Sequence, residues 1–259
     1  MVYKVSGRRM SGDMNTAVGN CVIMMLMISA YMARLQVCKW DVVDDGDDSV
    51  LIVESHVVQL LLDTVKPFFL NFGMVMKIEK VADSIHGLEF CQSHIIEYGV
   101  GRYKFVRNWT KVVSNALSGT RHWESARYRA KVLHAVGLCE LVLSLSIPVL
   151  QAFAECLLRN TRKVTGADLN FATEGMRMRA KRDLRALGVP LEKLKPQPIL
   201  LCARTSFAEA FGVPIHEQKR LEKFFSTWTF KLDGLTIHPC EIEVARWVHQ
   251  PTRAEVYSL

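Results

Sequence analysis

The sequence predicts an α+β fold, with small antiparallel sheets in roughly the first hundred residues and a mainly helical remainder. Three observations carry this. Two short β-branched runs within Trp40–Val53 flank an acidic turn with a glycine at the reversal, the pattern of a β-hairpin. Gly87–Cys91 and His94–Tyr98 form a second hairpin with Cys91, Gln92 and Ser93 at its turn, and Arg102–Val106 adds a third strand. Beyond Arg107 strand signals thin out and helical periodicity takes over.

In chain order, Tyr3–Val5 reads as the end of a strand. The loop Ser6–Asp13, with two glycines, then delivers the chain into a helix from about Asn15 to Leu35. Thr16 and Asn20 lie one helical turn apart on one face, which continues through Ile23, Met24, Met27 and Tyr31. The helix is therefore expected to be anchored by its lower turns and to present polar groups at its upper end. The apolar run Cys21–Ala33 is too short for a membrane span and reads as a buried helix; Leu138–Leu150 is similarly short and is interrupted by Pro148.

Ser55 is placed to cap a helix running to about Leu70, whose apolar face holds Val58, Leu61, Leu62, Val65 and Phe69. Pro67 should kink it or end it early. Gly73 punctuates, and Met74–Glu79 reads as a strand with Lys77 between apolar neighbours. Helices are expected at Trp109–Leu117, Trp123–Val136, Leu138–Asn160 (broken near Pro148), Phe171–Leu187, Ser206–Phe211 and His216–Trp228. Pro214 sits well for the start of the last. Lys193–Pro198 is the best linker in the chain, and there is no internal repeat or low-complexity tract.

With 259 residues, 49% hydrophobic and 23% charged, the chain can bury a substantial core as one or two domains, and its composition argues against disorder. The net charge of +7 is unevenly spread. The first hundred residues hold 8 basic and 12 acidic side chains, and the remainder 25 and 14. An acidic half joined to a basic half suits a protein that grips a polyanion and does metal chemistry on it, although a basic surface alone proves nothing about RNA. The seven cysteines form no Cys-x-x-Cys pair, which favours reduced thiols. His238, Cys240 and His249 match no zinc-ligand spacing, and no signal peptide is visible.

Five aspartates, Asp41, Asp44, Asp45, Asp47 and Asp48, fall within eight residues of the first hairpin. So much negative charge at a tight turn is repulsive unless cations neutralise it, and hard carboxylate oxygens suit Mg²⁺ or Mn²⁺. The plainer reading, a solvated acidic turn, would suffice if Gly46-Asp47-Asp48 stood alone. It is preceded by Ser11-Gly12-Asp13-x-x-Thr16-x-x-x-Asn20. It is followed by Phe72-Gly73-Met74-Val75-Met76-Lys77 and Leu88-Glu89-Phe90-Cys91-Gln92-Ser93. This ordered set resembles palm motifs B, C, D and E of viral RNA-dependent RNA polymerases, nearest to tombusvirus-like enzymes and their noda-like relatives. The likeness in motifs covers about the first hundred residues, and the rest fits by position and composition.

The resemblance implies a partial palm with an antiparallel sheet over residues 1–106, carrying motifs B to E, and a mainly helical thumb over 107–259. The implied activity is template-directed RNA synthesis in viral RNA replication, by attack of a 3′-hydroxyl on the α-phosphate of a nucleoside triphosphate, with two-metal catalysis by Mg²⁺ or Mn²⁺. Asp47 is implied as metal ligand, with Asp48 a more peripheral neighbour. Lys77 is implied as general acid toward the leaving pyrophosphate, although an edge-strand lysine on the surface is an equal alternative. Ser11, Gly12, Thr16 and Asn20 are implied to bind the nucleotide, with Asn20 sensing the ribose. Cys91, Gln92 and Ser93 are implied to support the primer or product end.

Asp44 and Asp45 depart from the family, where amides or aromatics are expected before the glycine. No motif A aspartate segment, no basic motif F and no fingers are found, so the chain reads as the C-terminal part of a polymerase, expected to be inactive alone. Expected partners are the RNA template and product, nucleoside triphosphates, the upstream fingers and motif A region, and membrane-associated replication proteins. The expected setting is the host cytoplasm, within a viral replication complex. The alternative from another class is a non-catalytic RNA-binding module that retains an inherited palm. Arg177, Arg179, Lys181, Arg182 and Arg185 crowd one helix, as a phosphate-contacting face or a solvated one.

Overall fold

The computed structural model describes residues 15–117, 123 and 125–229. The strand at Tyr3–Val5, the loop with Ser11 and Gly12, and His238, Cys240 and His249 all lie outside them. The fold is α+β, and the chain divides by packing into two compact units, residues 1–83 with 88–91, and residues 84–87 with 92–259.

The first unit opens on α1 (Thr16–Arg34), an unbroken helix. Its last turns bury Met27, Ile28, Tyr31 and Met32 against Val57, Leu61 and Phe69. Tyr31 also shares a 2.7 Å hydrogen bond with Thr64 Oγ1, so its polar tip is matched. The upper turns are different. Val18, Val22, Ile23 and Leu26 are exposed, so Ile23 does not continue the packed face. Two expectations for this segment are corrected. The helix has the expected extent, but taken whole rather than as the run Cys21–Ala33 it is long and apolar enough to cross a membrane by length and composition. It is also largely uncovered, with 28% of its most apolar window buried.

Strands β1 (Trp40–Asp44) and β2 (Ser49–Val53) pair antiparallel from Trp40↔Val53 to Asp44↔Ser49, as the alternation predicts. The loop between them is closed by the Asp45 N–H donating to the Asp48 carbonyl at 2.9 Å. A 3₁₀ turn at Ser55–Val57 then precedes α2 (Val58–Leu70), and Ser55 makes no capping bond to it. Pro67 neither ends nor shortens α2. The helix runs three residues past it, to Leu70. Met74–Glu79 forms no strand, because no described segment of the chain pairs with it. A two-residue strand, β3 (Glu89–Phe90), closes this unit and leads through the turn Cys91–Gln92 into the next.

In the second unit β4 (Ser93–Gly99) and β5 (Arg102–Arg107) pair antiparallel, with His94↔Val106 and Ile96↔Lys104 in register. Ile96 and Val106 enter a core that also holds Trp109, Leu133, Phe153, Phe207 and Phe225. Helix α3 (Trp109–Ala116) begins at Asn108, whose side chain accepts from the Thr110 and Lys111 N–H groups. The two helices expected on either side of Gly137 are one, α4 (Ala126–Leu143). Gly137 serves close packing instead. A Cβ there would lie 3.1 Å from Leu157 and Leu158 of α5 (Leu150–Asn160), so the glycine lets α4 and α5 approach.

Three further helices follow, α6 (Glu174–Leu187), α7 (Leu201–Phe211) and α8 (Ile215–Thr227). Helix α7 starts five residues before its expected first residue, soon after Pro198. The expected linker Lys193–Pro198 is strapped down. The buried Gln151 side chain donates to the Gln197 carbonyl at 2.9 Å and accepts from its N–H at 3.1 Å. Along α6, the half-buried Arg177 bonds Asn170, whereas Arg179, Lys181, Arg182 and Arg185 are exposed, Arg182 pairing with Asp183.

Glu140 on α4 is buried and paired with Arg107. Burial pushes its carboxyl above the ordinary range, with Arg107 opposing. The native chain then keeps a proton that the unfolded chain releases, so this group's contribution to stability falls as pH rises from the ordinary glutamate value through the raised one. Glu140→Gln should flatten that dependence. The check is the urea midpoint of both proteins at pH 4 and pH 7, and equal pH-shifts in both would contradict it.

Candidate functional site

The acidic turn has a defined internal structure. Gly46, buried at φ +87°, sits where the loop reverses, a backbone conformation that side chains other than glycine rarely adopt. A Cβ at this position would stand 3.2 Å from Asn20 Cβ. The upper part of α1 therefore rests against the hairpin tip, and Asn20 lies beside the glycine of Gly46-Asp47-Asp48. Cys21, the next residue, faces the same turn. Desolvation raises its thiol pKa first, and the carboxylates of Asp44 and Asp45 raise it further.

Each aspartate of the tip has a different setting. Asp44 Oδ1 accepts from the Ser49 hydroxyl at 2.6 Å, while its Oδ2 is buried with no hydrogen-bond partner. Asp45 Oδ2 accepts from the Cys91 thiol at 3.3 Å. Asp48 Oδ2 accepts from the Cys91 backbone N–H at 2.7 Å, a short bond of the charge-assisted kind. Asp47 is exposed, and among the described residues it has neither a hydrogen bond nor an ion pair. The Cys91 thiol is pushed up to about 12, by desolvation first and then by Asp45 and Asp48.

Of the other expected site residues, Thr16 opens α1 and is half-buried, one turn above Asn20. Cys91 and Gln92 occupy the turn after β3, and Ser93 begins β4. Gln92 accepts from Lys111 Nζ through its side chain and from the Asn108 N–H through its carbonyl. Lys77 is exposed and pairs with Glu79 at 2.7 Å, not with any hairpin aspartate. That pairing holds its pKa above the ordinary lysine value, the direction opposite to the one a general acid at neutral pH would need.

The donor chemistry fits Mg²⁺ or Mn²⁺. The tip offers hard carboxylate oxygens, one of them orphaned and buried on Asp44 and one pair free on Asp47. Among the described residues no three His, Cys, Asp or Glu side chains converge as a cage, so the hairpin could supply only part of a ligand set. Sequence reasoning missed the contact of Asn20 with Gly46, the placement of Cys21, and both Cys91 bonds. The first had a signal, because a glycine at a reversal also permits close approach of another element. The Cys91 bonds span more than forty residues and left no local trace.

The family model described as "Viral RNA dependent RNA polymerase" matches residues 1–233. The RNA-directed RNA polymerase of tobacco necrosis virus (strain A) is 32% identical over 234 residues, which cover 90% of this chain and 31% of that protein. Its counterpart in oat chlorotic stunt virus is 32% identical over 242 residues, 91% of this chain and 31% of the relative. That of melon necrotic spot virus is 32% identical over 233 residues, 88% and 28% respectively. The chain thus spans less than a third of the length of these relatives. No solved structure is a significant match.

Proposed function

This chain belongs to the viral RNA-dependent RNA polymerase family, and from that premise we propose that it forms the palm and thumb portion of an RNA-directed RNA polymerase, active in template-directed nucleotidyl transfer. The observation that carries the reading is the packing of Asn20 against Gly46, which joins the helix of Thr16 and Asn20 to the aspartates of the turn. Substrate recognition and metal ligation would then share one locus. The relatives' remaining length would provide the fingers and the further metal-binding aspartate of motif A. The chain without them would not incorporate nucleotide.

In this reading Asp47 is the hairpin's direct ligand to Mg²⁺ or Mn²⁺ and Asp48 its peripheral neighbour. When bound, such ions would ease deprotonation of the attacking 3′-hydroxyl and neutralise the leaving pyrophosphate. The chain's residues otherwise position and neutralise rather than form covalent bonds. Ser11, Gly12 and Thr16 would hold the nucleotide, and Cys91, Gln92 and Ser93 the product end. Lys77 would act on the pyrophosphate only after parting from Glu79. RNA would also meet the exposed basic residues of α6, Arg179, Lys181, Arg182 and Arg185. The setting would be a replication complex in the host cytoplasm, with membrane-associated replication proteins as partners.

Asn20 gives the test. Its amide can donate to and accept from a ribose 2′-hydroxyl, and a site built for a hydroxyl penalises the substrate lacking one. In the full-length polymerase, Asn20→Ala should narrow the preference for ATP over dATP by about one to two powers of ten in kcat/KM, the equivalent of about 1–3 kcal/mol. If both substrates lose the same factor, Asn20 is structural and its ribose-sensing role is wrong.

A further inference from the structure

The turn Cys91–Gln92 is strained for the residues it carries. Both lie in the left-handed region, at φ +50° and φ +57°. Two successive positive values mark the tight hairpin turn usually filled by Asn-Gly or Asp-Gly, because other side chains are disfavoured there. Here a cysteine and a glutamine hold it. Strain retained in a folded chain is a pointer to what the strained residue does. Residues at the centre of such a turn do not use their N–H groups in the strand ladder. The Cys91 N–H points to Asp48 Oδ2 at 2.7 Å, while the thiol of the same residue reaches Asp45 Oδ2 at 3.3 Å. Two of the three aspartates flanking Gly46 on the loop are therefore fastened to one residue, and the third, Asp47, is exposed like Asp45 but has no hydrogen bond or ion pair among the described residues.

We propose that Cys91 is a positioning residue of the catalytic centre, whose N–H and thiol fix the carboxylates of Asp48 and Asp45 so that Asp47 is presented as the hairpin's direct metal ligand. Without a donor, crowded carboxylates at the tip would splay apart by mutual repulsion or compete for the same ion. The backbone N–H fixes Asp48 whatever side chain stands at position 91. The thiol adds the hold on Asp45, and that part is specific to cysteine or a similar donor. Asp45, placed where the family is expected to have an amide or aromatic residue, thereby acquires a partner. The inference rests on the polymerase reading above, since a positioning role needs a reaction to position for.

The experiment uses the full-length polymerase and three variants, Cys91→Gly, Cys91→Ser and Asp47→Ala. Glycine relieves the positive φ and keeps the N–H, so a purely structural role predicts unchanged or raised thermal stability with unchanged activity. A positioning role predicts that Cys91→Gly keeps or gains stability while its Mn²⁺ affinity, read by electron paramagnetic resonance, and its kcat each fall about tenfold or more. KM for nucleotide should change less than kcat. Cys91→Ser keeps a donor toward Asp45 and should recover most of both losses. A glycine variant with wild-type Mn²⁺ affinity and kcat overturns the proposal, as does a serine variant no better than glycine. If Asp47→Ala also leaves Mn²⁺ binding and incorporation intact, the metal reading of the hairpin has failed. If Asp47→Ala is inactive while Cys91→Gly is silent, only the role of Cys91 has.

Discussion

Replacing Asp47 by alanine in the full-length polymerase is expected to lower nucleotide incorporation by about three powers of ten or more. A metal ion supplies several kcal/mol of charge stabilisation in the transition state, and each ~1.4 kcal/mol is a factor of ten in rate. Asp47 is an exposed carboxylate of the turn and makes no competing bond among the described residues, so its removal is not compensated locally. Asp48→Ala should cost less, because Asp48 is already engaged with the Cys91 N–H. The measurement is single-nucleotide extension at saturating Mg²⁺ on one template. Equal losses for the two variants would count against the assignment of unequal roles. Because Asp47 is exposed, its replacement should leave the unfolding midpoint nearly unchanged, which separates lost chemistry from lost fold.

The largest effect on stability is expected at Phe153. It is fully buried on α5, 5.2 Å from the Phe225 ring of α8, within the cluster that also takes in Trp109, Leu133 and Phe207. Deleting a buried phenylalanine removes its transfer free energy and leaves a cavity. The cost is about 3–5 kcal/mol, set against a total stability of about 5–15 kcal/mol for an ordinary domain. Phe153→Ala should lower the urea midpoint steeply and blunt the near-ultraviolet signal of the packed aromatics. Phe153→Leu, which fills much of the space, should recover more than half of the loss. A midpoint unchanged in Phe153→Ala would mean that this cluster is not the core of the second unit.

The elements that were legible in the sequence are those whose signal is local. The alternation in Trp40–Val53 and the glycine at its reversal located the first hairpin, and its register follows from them. The periodicity of Val58 to Phe69 located α2. What escaped depends on partners distant in the chain. Separate helices are expected on either side of Gly137, yet the chain runs through it as one helix, because the glycine lets α4 pack closely on Leu157 and Leu158. The segment at Met74–Glu79 has strand-forming residues but no strand to pair with among the described residues. Lys193–Pro198 has a linker's composition, and only Gln151, more than forty residues earlier, reveals that it is tied down. At the site the carboxylates were visible from composition alone. Their unequal settings were not, because hydrogen bonds to Ser49 and Cys91 create them.

The uncovered upper turns of α1 have a practical consequence for handling the protein. A 19-residue helix is about 28 Å long, and Val18, Val22, Ile23 and Leu26 leave much of its upper length apolar and open to water. Contiguous apolar surface of this kind drives self-association, and the positive net charge lies in the other part of the chain, since the first hundred residues hold 8 basic and 12 acidic side chains. Colloidal behaviour of the isolated chain will therefore depend on its concentration and on mild detergent more than on salt. Light scattering should rise with protein concentration and fall when Val18 and Leu26 are changed together to lysine.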